Sequence, residues 1–349
     1  MTNSARLGAS STLRKRAVRL NADTYPVEPQ EVQILAQAGA ELIAIEGQQP
    51  SDILSAARDC DALMVISSYL PAEVIAALPR CCTIARLGAG TDRIDIAAAT
   101  RQGIVVSNVP DFCLGEQADH TLALLLSMAR RLPTMQAAMR SGHWTARQHP
   151  GVHRLAGRTL GLVGFGASAQ AVARRAAAFG LRLLAWTRHP VNYPAQAEAL
   201  GVRFTTLDDL LSQSQFVSIH LPLTDDTRGL LDAARLARMG PDAVLLNTSR
   251  GAIVDEAALV DTLQRGAIAG AALDVFSSID VFAAPGTPAN HPLLALDNVI
   301  ATPHCAGSSV ESTLESKVRG AQHAAQVLGG HWPTHVVNPD VVPRQSLQR

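Results

Sequence analysis

The run LVGFGASAQAVARRAAAFG at 162–180 holds the residues whose spacing most directly implies chemistry. It reads as a strand, then Gly164-x-Gly166-x-x-Ala169, then a helix opened by Ala167 and Ser168. Gly164 permits a tight turn, Gly166 lets backbone approach a pyrophosphate, and a small residue at 169 lets helix and strand pack closely. The helix start then offers unpaired N–H groups and a positive dipole end to the phosphates. Placed between a strand and a helix, with a second strand following, this motif points to a dinucleotide site.

The end of that second strand bears on which dinucleotide is bound. An acidic residue there usually accepts hydrogen bonds from the adenosine ribose. Here the chain reads Trp186-Thr187-Arg188-His189, with no acid. Arg188, with Thr187 beside it, is suited instead to a 2′-phosphate through charge-assisted hydrogen bonds. The expected cofactor is therefore NAD(P)H, with NADP preferred.

The elements that must carry these residues follow an α/β rhythm. Short β-branched or Leu-rich runs at 17–21, 41–45, 62–66, 83–86 and 105–107 alternate with Ala-rich helical stretches. A long helix is expected over 115–131, with Pro133 marking its end. Then come a strand at 159–164, a helix at 167–179, strands at 181–187, 216–220, 243–247, 271–275 and 299–302, and a final helix at 309–328.

With 349 residues the chain is long enough for about two domains at roughly 150 residues each. A hydrophobic share of 47% and a formal net charge of zero speak against a disordered chain and against a nucleic-acid binder. No apolar run is long enough to cross a bilayer, and the first 15 residues read as a flexible tail rather than a leader. The five cysteines form no CxxC pair, so neither zinc nor a disulfide framework is expected. A cytoplasmic protein without a metal is the resulting expectation.

Beyond the phosphate loop, the chain resembles the D-isomer-specific 2-hydroxyacid dehydrogenase family. The segments that carry the resemblance are RLGAGTDRID (86–95), SNVPDF (107–112), QADHTLALLLSMARRL (117–132), HLPLTDDTRGLL (220–231), LLNTSRGAIVDEAAL (245–259), AGAALDVF (269–276) and DNVIATPHCAG (297–307). The resemblance implies two Rossmann-like domains, each a parallel sheet flanked by helices, with the active site in the interdomain cleft. The substrate domain would take residues 16–111 and 309–349, and the dinucleotide domain 112–308. A homodimer is implied as well, with the 115–131 helix as its contact.

Carried over by position, Arg250 would bind and polarise a small 2-keto acid, and His304 would be its acid/base. The amides of Ala89 and Gly90 would hold the substrate carboxylate, and Ser68, in the Ser67-Ser68-Tyr69 stretch, would face the substrate. Leu221, Pro222, Thr248 and Ser249 match cofactor-lining positions, and Asp274 would sit near the nicotinamide carboxamide.

The chain departs from the family at one catalytic position. A Glu that usually follows the DVF segment and holds the histidine is replaced by Ile279, counting forward from Asp274, or by Pro285, counting back from His291. Asp280 is the nearest substitute; Asp255 reads instead as the start of a helix. The expected activity is reduction of a glyoxylate- or hydroxypyruvate-like 2-keto acid to the D-hydroxy acid. Two alternatives stay open: a dinucleotide-sensing protein with little turnover, and a one-carbon oxidising relative.

Overall fold

The computed structural model describes residues 15–47, 49–144, 152–279 and 289–349. Asp280 and Pro285 lie outside the described residues. The chain divides into two compact units. One takes the described residues up to Phe112 together with Thr313–Arg349, and the other takes Cys113–Ser312.

The first unit is built on a five-stranded sheet of β1 (Lys15–Arg19), β2 (Ala40–Ala44), β3 (Ala62–Val65), β4 (Thr83–Arg86) and β5 (Val105–Ser107). The order is β2-β1-β3-β4-β5 and every pair is parallel. Lys15, counted in the expected tail, instead opens β1. Alternation along the strands feeds two cores. Val18, Leu63 and Ile84 point to one face, while Ala17, Met64 and Ala85 point to the other. Ala321, Ala324 and Leu328 of helix Val310–Leu328 cover the second face.

The second unit holds a seven-stranded sheet: β6 (Thr159–Val163), β7 (Arg182–Trp186), β8 (Val202–Phe204), β9 (Phe216–Ile219), β10 (Val244–Asn247), β11 (Gly270–Leu273) and β12 (Val299–Ala301). Its order is β12-β11-β10-β9-β6-β7-β8, again all parallel. Strands β6, β9, β10 and β11 are buried along their whole length, as parallel strands covered on both faces must be. Strand β8, with Phe204 packed on Phe165, was not expected from the sequence. Its three residues carry too short a pattern to be read.

Pro133 does more than end a helix. Helix Leu114–Ala129 stops, Arg131 turns at φ 50°, and a second helix, Leu132–Arg140, starts with Pro133 in its first turn. Proline is tolerated there because its missing N–H would have no helical partner.

Candidate active site

Strand register in the second unit aligns the carboxyl ends of five strands. Val163 pairs with Ile219, Ile219 with Asn247, Asn247 with Leu273, and Leu273 with Ala301. The residues that follow are Gly164, His220-Leu221, Thr248-Ser249-Arg250, Asp274 and Thr302–His304. All of them therefore leave the sheet along one edge. This is the edge where open α/β sheets place ligands, and the order reverses here, with β6 lying between β9 and β7.

Glycine is required at 164. Its φ is +104°, and a Cβ there would come within 2.3 Å of the His220 carbonyl oxygen. A Cβ at Gly166 would meet nothing within 4 Å, so the backbone there faces open space. Gly166 is the N-cap of helix Ala167–Ala177, leaving the amides of Ala167, Ser168 and Ala169 without helical acceptors. These residues fit a pyrophosphate.

The Ser168 hydroxyl takes no part in that cradle. It donates to Gln117 Oε1 at 2.8 Å and lies 3.0 Å from His220 Nδ1. Ser168 therefore offers a phosphate its backbone N–H, while its side chain ties the loop to the core. Because the hydroxyl proton goes to Gln117, Nδ1–H of His220 donates to Ser168. His220 Nε2 then accepts from the Ser218 hydroxyl at 2.8 Å. Burial pushes the His220 pKa down to about 4, so the ring is neutral at physiological pH.

Leu221 is half-buried against Gly164, and Pro222 is exposed. Thr248 is buried, its hydroxyl 3.0 Å from that of Thr121 and its carbonyl accepting from Gln117. At the end of β7, Arg188 forms an exposed ion pair with Asp226 at 3.1 Å, next to half-buried Thr187.

Arg250 is carried by a turn that Asn247 organises. Asn247 Oδ1 accepts from Ser249 N at 3.0 Å, and its Nδ2 donates to the Arg250 carbonyl at 2.9 Å. Gly251 lets that turn approach the next loop, since a Cβ there would sit 2.2 Å from the Phe276 carbonyl carbon. The Asn247 carbonyl accepts from Asp274 N at 2.9 Å, and the Asp274 carbonyl accepts from His304 N at 2.9 Å. One backbone chain thus connects the Arg250 turn to His304.

His304 sits in the left-handed region at φ 54°, a conformation with a steric cost for a residue bearing a Cβ. The Asp274 side chain holds the loop in that shape. It is 1% exposed and its oxygens accept from Thr302 Oγ1 (2.5 Å), Cys305 N (2.9 Å) and Ala306 N (2.9 Å). His120 Nε2 lies 3.1 Å from the same Thr302 hydroxyl. The sequence marked Asp274 as a cofactor neighbour; its carboxylate is engaged by the backbone and side chain of the histidine loop, with His120 Nε2 3.8 Å from Oδ1.

The acids around the departure from the family resolve differently. Asp255 caps helix Glu256–Gln264 by accepting from Ala258 N. Glu256, not foreseen, accepts from Ser277 N at 2.5 Å, Ser277 Oγ at 2.6 Å and His291 Nε2 at 2.9 Å. It clamps both flanks of the segment that contains Asp280.

In the first unit, Ser68 is buried; its hydroxyl accepts from Asn21 Nδ2 at 2.8 Å and donates to the Gly47 carbonyl at 2.7 Å. Asn21, at φ 63°, also accepts from the amides of Ile66, Ser67 and Ser68. The Ala89–Gly90 turn wraps the Arg86 guanidinium, which donates to the Gly90 and Leu87 carbonyls, while Asn108 donates to the Ala89 carbonyl. In the second unit, a cavity of about 250 Å³ opens beside Phe216, Val244, Ala269 and Asn298, at the other edge of the sheet, and none of the candidate site residues lines it. No helix among the described residues is long and apolar enough to cross a membrane.

Comparison with known proteins matches residues 122–306 to the family described as D-isomer specific 2-hydroxyacid dehydrogenase, NAD binding domain. The chain is 38% identical over 313 residues to D-3-phosphoglycerate dehydrogenase of Mycobacterium tuberculosis, covering 87% of this chain and 57% of that protein. It therefore spans little more than half the length of that relative. It is 38% identical over 294 residues to glyoxylate reductase of Korarchaeum cryptofilum, covering 83% of this chain and 86% of that one. Among solved structures it is similar to an NADPH-dependent glyoxylate/hydroxypyruvate reductase of Sinorhizobium meliloti in complex with NADP and malonate. The TM-score is 0.80 at 32% identity, covering 96% of this chain and 100% of that one. With the phosphate loop, the Arg250 turn and the His304 loop on one sheet edge, and with these relatives, the chain belongs to the D-isomer-specific 2-hydroxyacid dehydrogenase family.

Proposed function

We propose that the protein reduces a small 2-keto acid to the D-2-hydroxy acid with NAD(P)H, glyoxylate and hydroxypyruvate being the first substrates to test. The observation that carries this reading is the backbone chain from Asn247 through Asp274 to His304, which fixes the Arg250 turn and the histidine loop relative to each other. The match to glyoxylate reductases over most of their length supports the substrate class. The bound dinucleotide would supply the hydride. Arg250 would fork onto the substrate carboxylate and keto oxygen, drawing electron density from the carbonyl carbon. His304 would deliver its proton to the keto oxygen as that oxygen gains charge.

NADPH is our preferred cofactor, on the strength of Arg188 at the end of β7 and the absence of an acid at 186–189. Homodimerisation belongs to the same reading, with the helix now seen at Leu114–Ala129 as the contact the family implies; the helix after it, Leu132–Arg140, buries none of its residues and exposes Leu132 and Met139.

The test is a panel of 2-keto acids assayed with both reduced cofactors, alongside Arg250→Lys and His304→Gln. Turnover by wild type and a loss on the order of 10² or more in kcat/KM for each variant is expected. Tight dinucleotide binding with no turnover on any acid would instead identify a sensor, the reading that Ile279 in place of a carboxylate favours.

A further inference from the structure

The sequence spacing offers no metal motif, yet folding brings three dissimilar ligating groups together beside the histidine loop. His120 comes from helix Leu114–Ala129, Asp274 follows β11, and Cys305 follows His304. One ligand atom from each lies within 4.8 Å of the other two. We propose that His120, Asp274 and Cys305 form a binding site for a borderline transition-metal ion, Zn²⁺ foremost.

The donor set is one nitrogen, one carboxylate oxygen and one sulfur, the mixture that Zn²⁺ takes. Hard cations such as Mg²⁺ and Ca²⁺ require six or more oxygens and are excluded by the same chemistry. Burial and the neighbouring Asp274 raise the Cys305 pKa, so the ion must displace the thiol proton to solvent; the thiolate and the Asp274 carboxylate then match its charge. Asp274 keeps capacity for it. Oδ1 already accepts from Thr302 Oγ1 and Cys305 N, whereas Oδ2 accepts only from Ala306 N among the described backbone and hydroxyl donors and keeps a lone-pair position for the ion. Asp274 is buried, and the side of the site that meets solvent is that of His120, 23% exposed, and half-buried Cys305.

The geometry requires a small contraction. Tetrahedral zinc, with bonds of about 2.0–2.3 Å, sets its ligand atoms roughly 3.5 Å apart. His120 Nε2 is already 3.8 Å from Asp274 Oδ1. His120 must release Thr302 Oγ1, now 3.1 Å away, and carry its proton on Nδ1. Water or the freed Thr302 hydroxyl completes the coordination. All three ligands belong to one unit, so the contraction needs no movement between units.

The consequence for activity rests on the function proposed above. An ion at this site would occupy the carboxylate that shapes the His304 loop, and would act as a reversible inhibitor. Binding itself is independent of that reading.

The test titrates Zn²⁺ into cofactor-free protein against a chromogenic chelator, and Co²⁺ in parallel. A single equivalent with a dissociation constant of micromolar order is expected, with a near-ultraviolet sulfur-to-cobalt charge-transfer band. Cys305→Ser and His120→Gln should each weaken Zn²⁺ binding on the order of 100-fold, with loss of the band in Cys305→Ser. Cys82→Ser should change neither. If Cys305→Ser fails to fold, alkylation of wild type decides the question, because Zn²⁺ must shield Cys305 from iodoacetamide. Absence of stoichiometric binding, a band that survives in Cys305→Ser, or unshielded Cys305 overturns the site. Activity restored by a chelator addresses only the inhibitory consequence.

Discussion

Asp274 grips the loop of His304 from two sides: its carbonyl accepts the His304 N–H at 2.9 Å, and its carboxylate accepts the amides of Cys305 and Ala306. A residue at φ 54° gains from such support, because a side chain bearing a Cβ carries a steric cost in that conformation. The carboxylate is thus a positioning group for the imidazole, whatever it also does for a bound cofactor.

Asp274→Asn should accordingly lower kcat by about tenfold or more, since small misplacements of a reacting group are costly. The amide NH₂ must face at least one of three donors, costing about 2 kcal/mol. Steady-state kinetics and thermal melting check both effects together. A variant with unchanged kcat would show that the loop keeps its shape without the carboxylate.

His220 makes stability depend on pH in a definite direction. Its folded pKa is about 4 against about 6.5 unfolded, so the unfolded chain binds the extra proton between those values. The contribution is complete above about pH 6.5 and is lost as pH falls towards 4, amounting to about 3 kcal/mol at most. Denaturant unfolding across that window should show the slope, and His220→Gln should reduce it to the part contributed by His323, which burial also lowers to about 4.

Arg188 is shared between its ion pair with Asp226 and any 2′-phosphate. Asp226→Ala should raise the NADPH-to-NADH ratio of kcat/KM a few-fold, the modest size reflecting an exposed pair. Arg188→Ala should lower the same ratio. Opposite signs in the two variants are the diagnostic result.

Glu256 carries three donors in an 11% exposed position. Glu256→Ala strands the Ser277 amide and the His291 ring, costing about 2 kcal/mol and a Tm loss of roughly 4–8 °C. Glu256→Gln, which keeps one acceptor oxygen, should lose less. Calorimetry ranks the two.

The sequence by itself determined the parallel α/β organisation and the glycine turn between strand and helix at 164–169, while the family resemblance pointed to Arg250 and His304 at strand ends. Each is written in a local pattern: hydrophobic runs, glycines required by the backbone, and motifs at strand ends. Strand Val202–Phe204 was too short to announce itself, and the second helix beyond Pro133 depended on a turn at Arg131. Only the tertiary structure decided what Asp274, Ser168, Asn21 and Glu256 do. Their partners lie 28 to 52 residues away for Asp274 with Thr302 and Ser168 with His220, and comparably far for the others. A carboxylate or hydroxyl at a strand end reads the same whether it meets a ligand or a neighbouring loop. The difference arises when strands β9 to β12 align their ends, because a buried polar group must then find its hydrogen bond in whatever backbone lies beside it. The convergence of His120, Asp274 and Cys305 has the same origin: three chain segments, distant in sequence, delivered to one edge by strand register and helix packing.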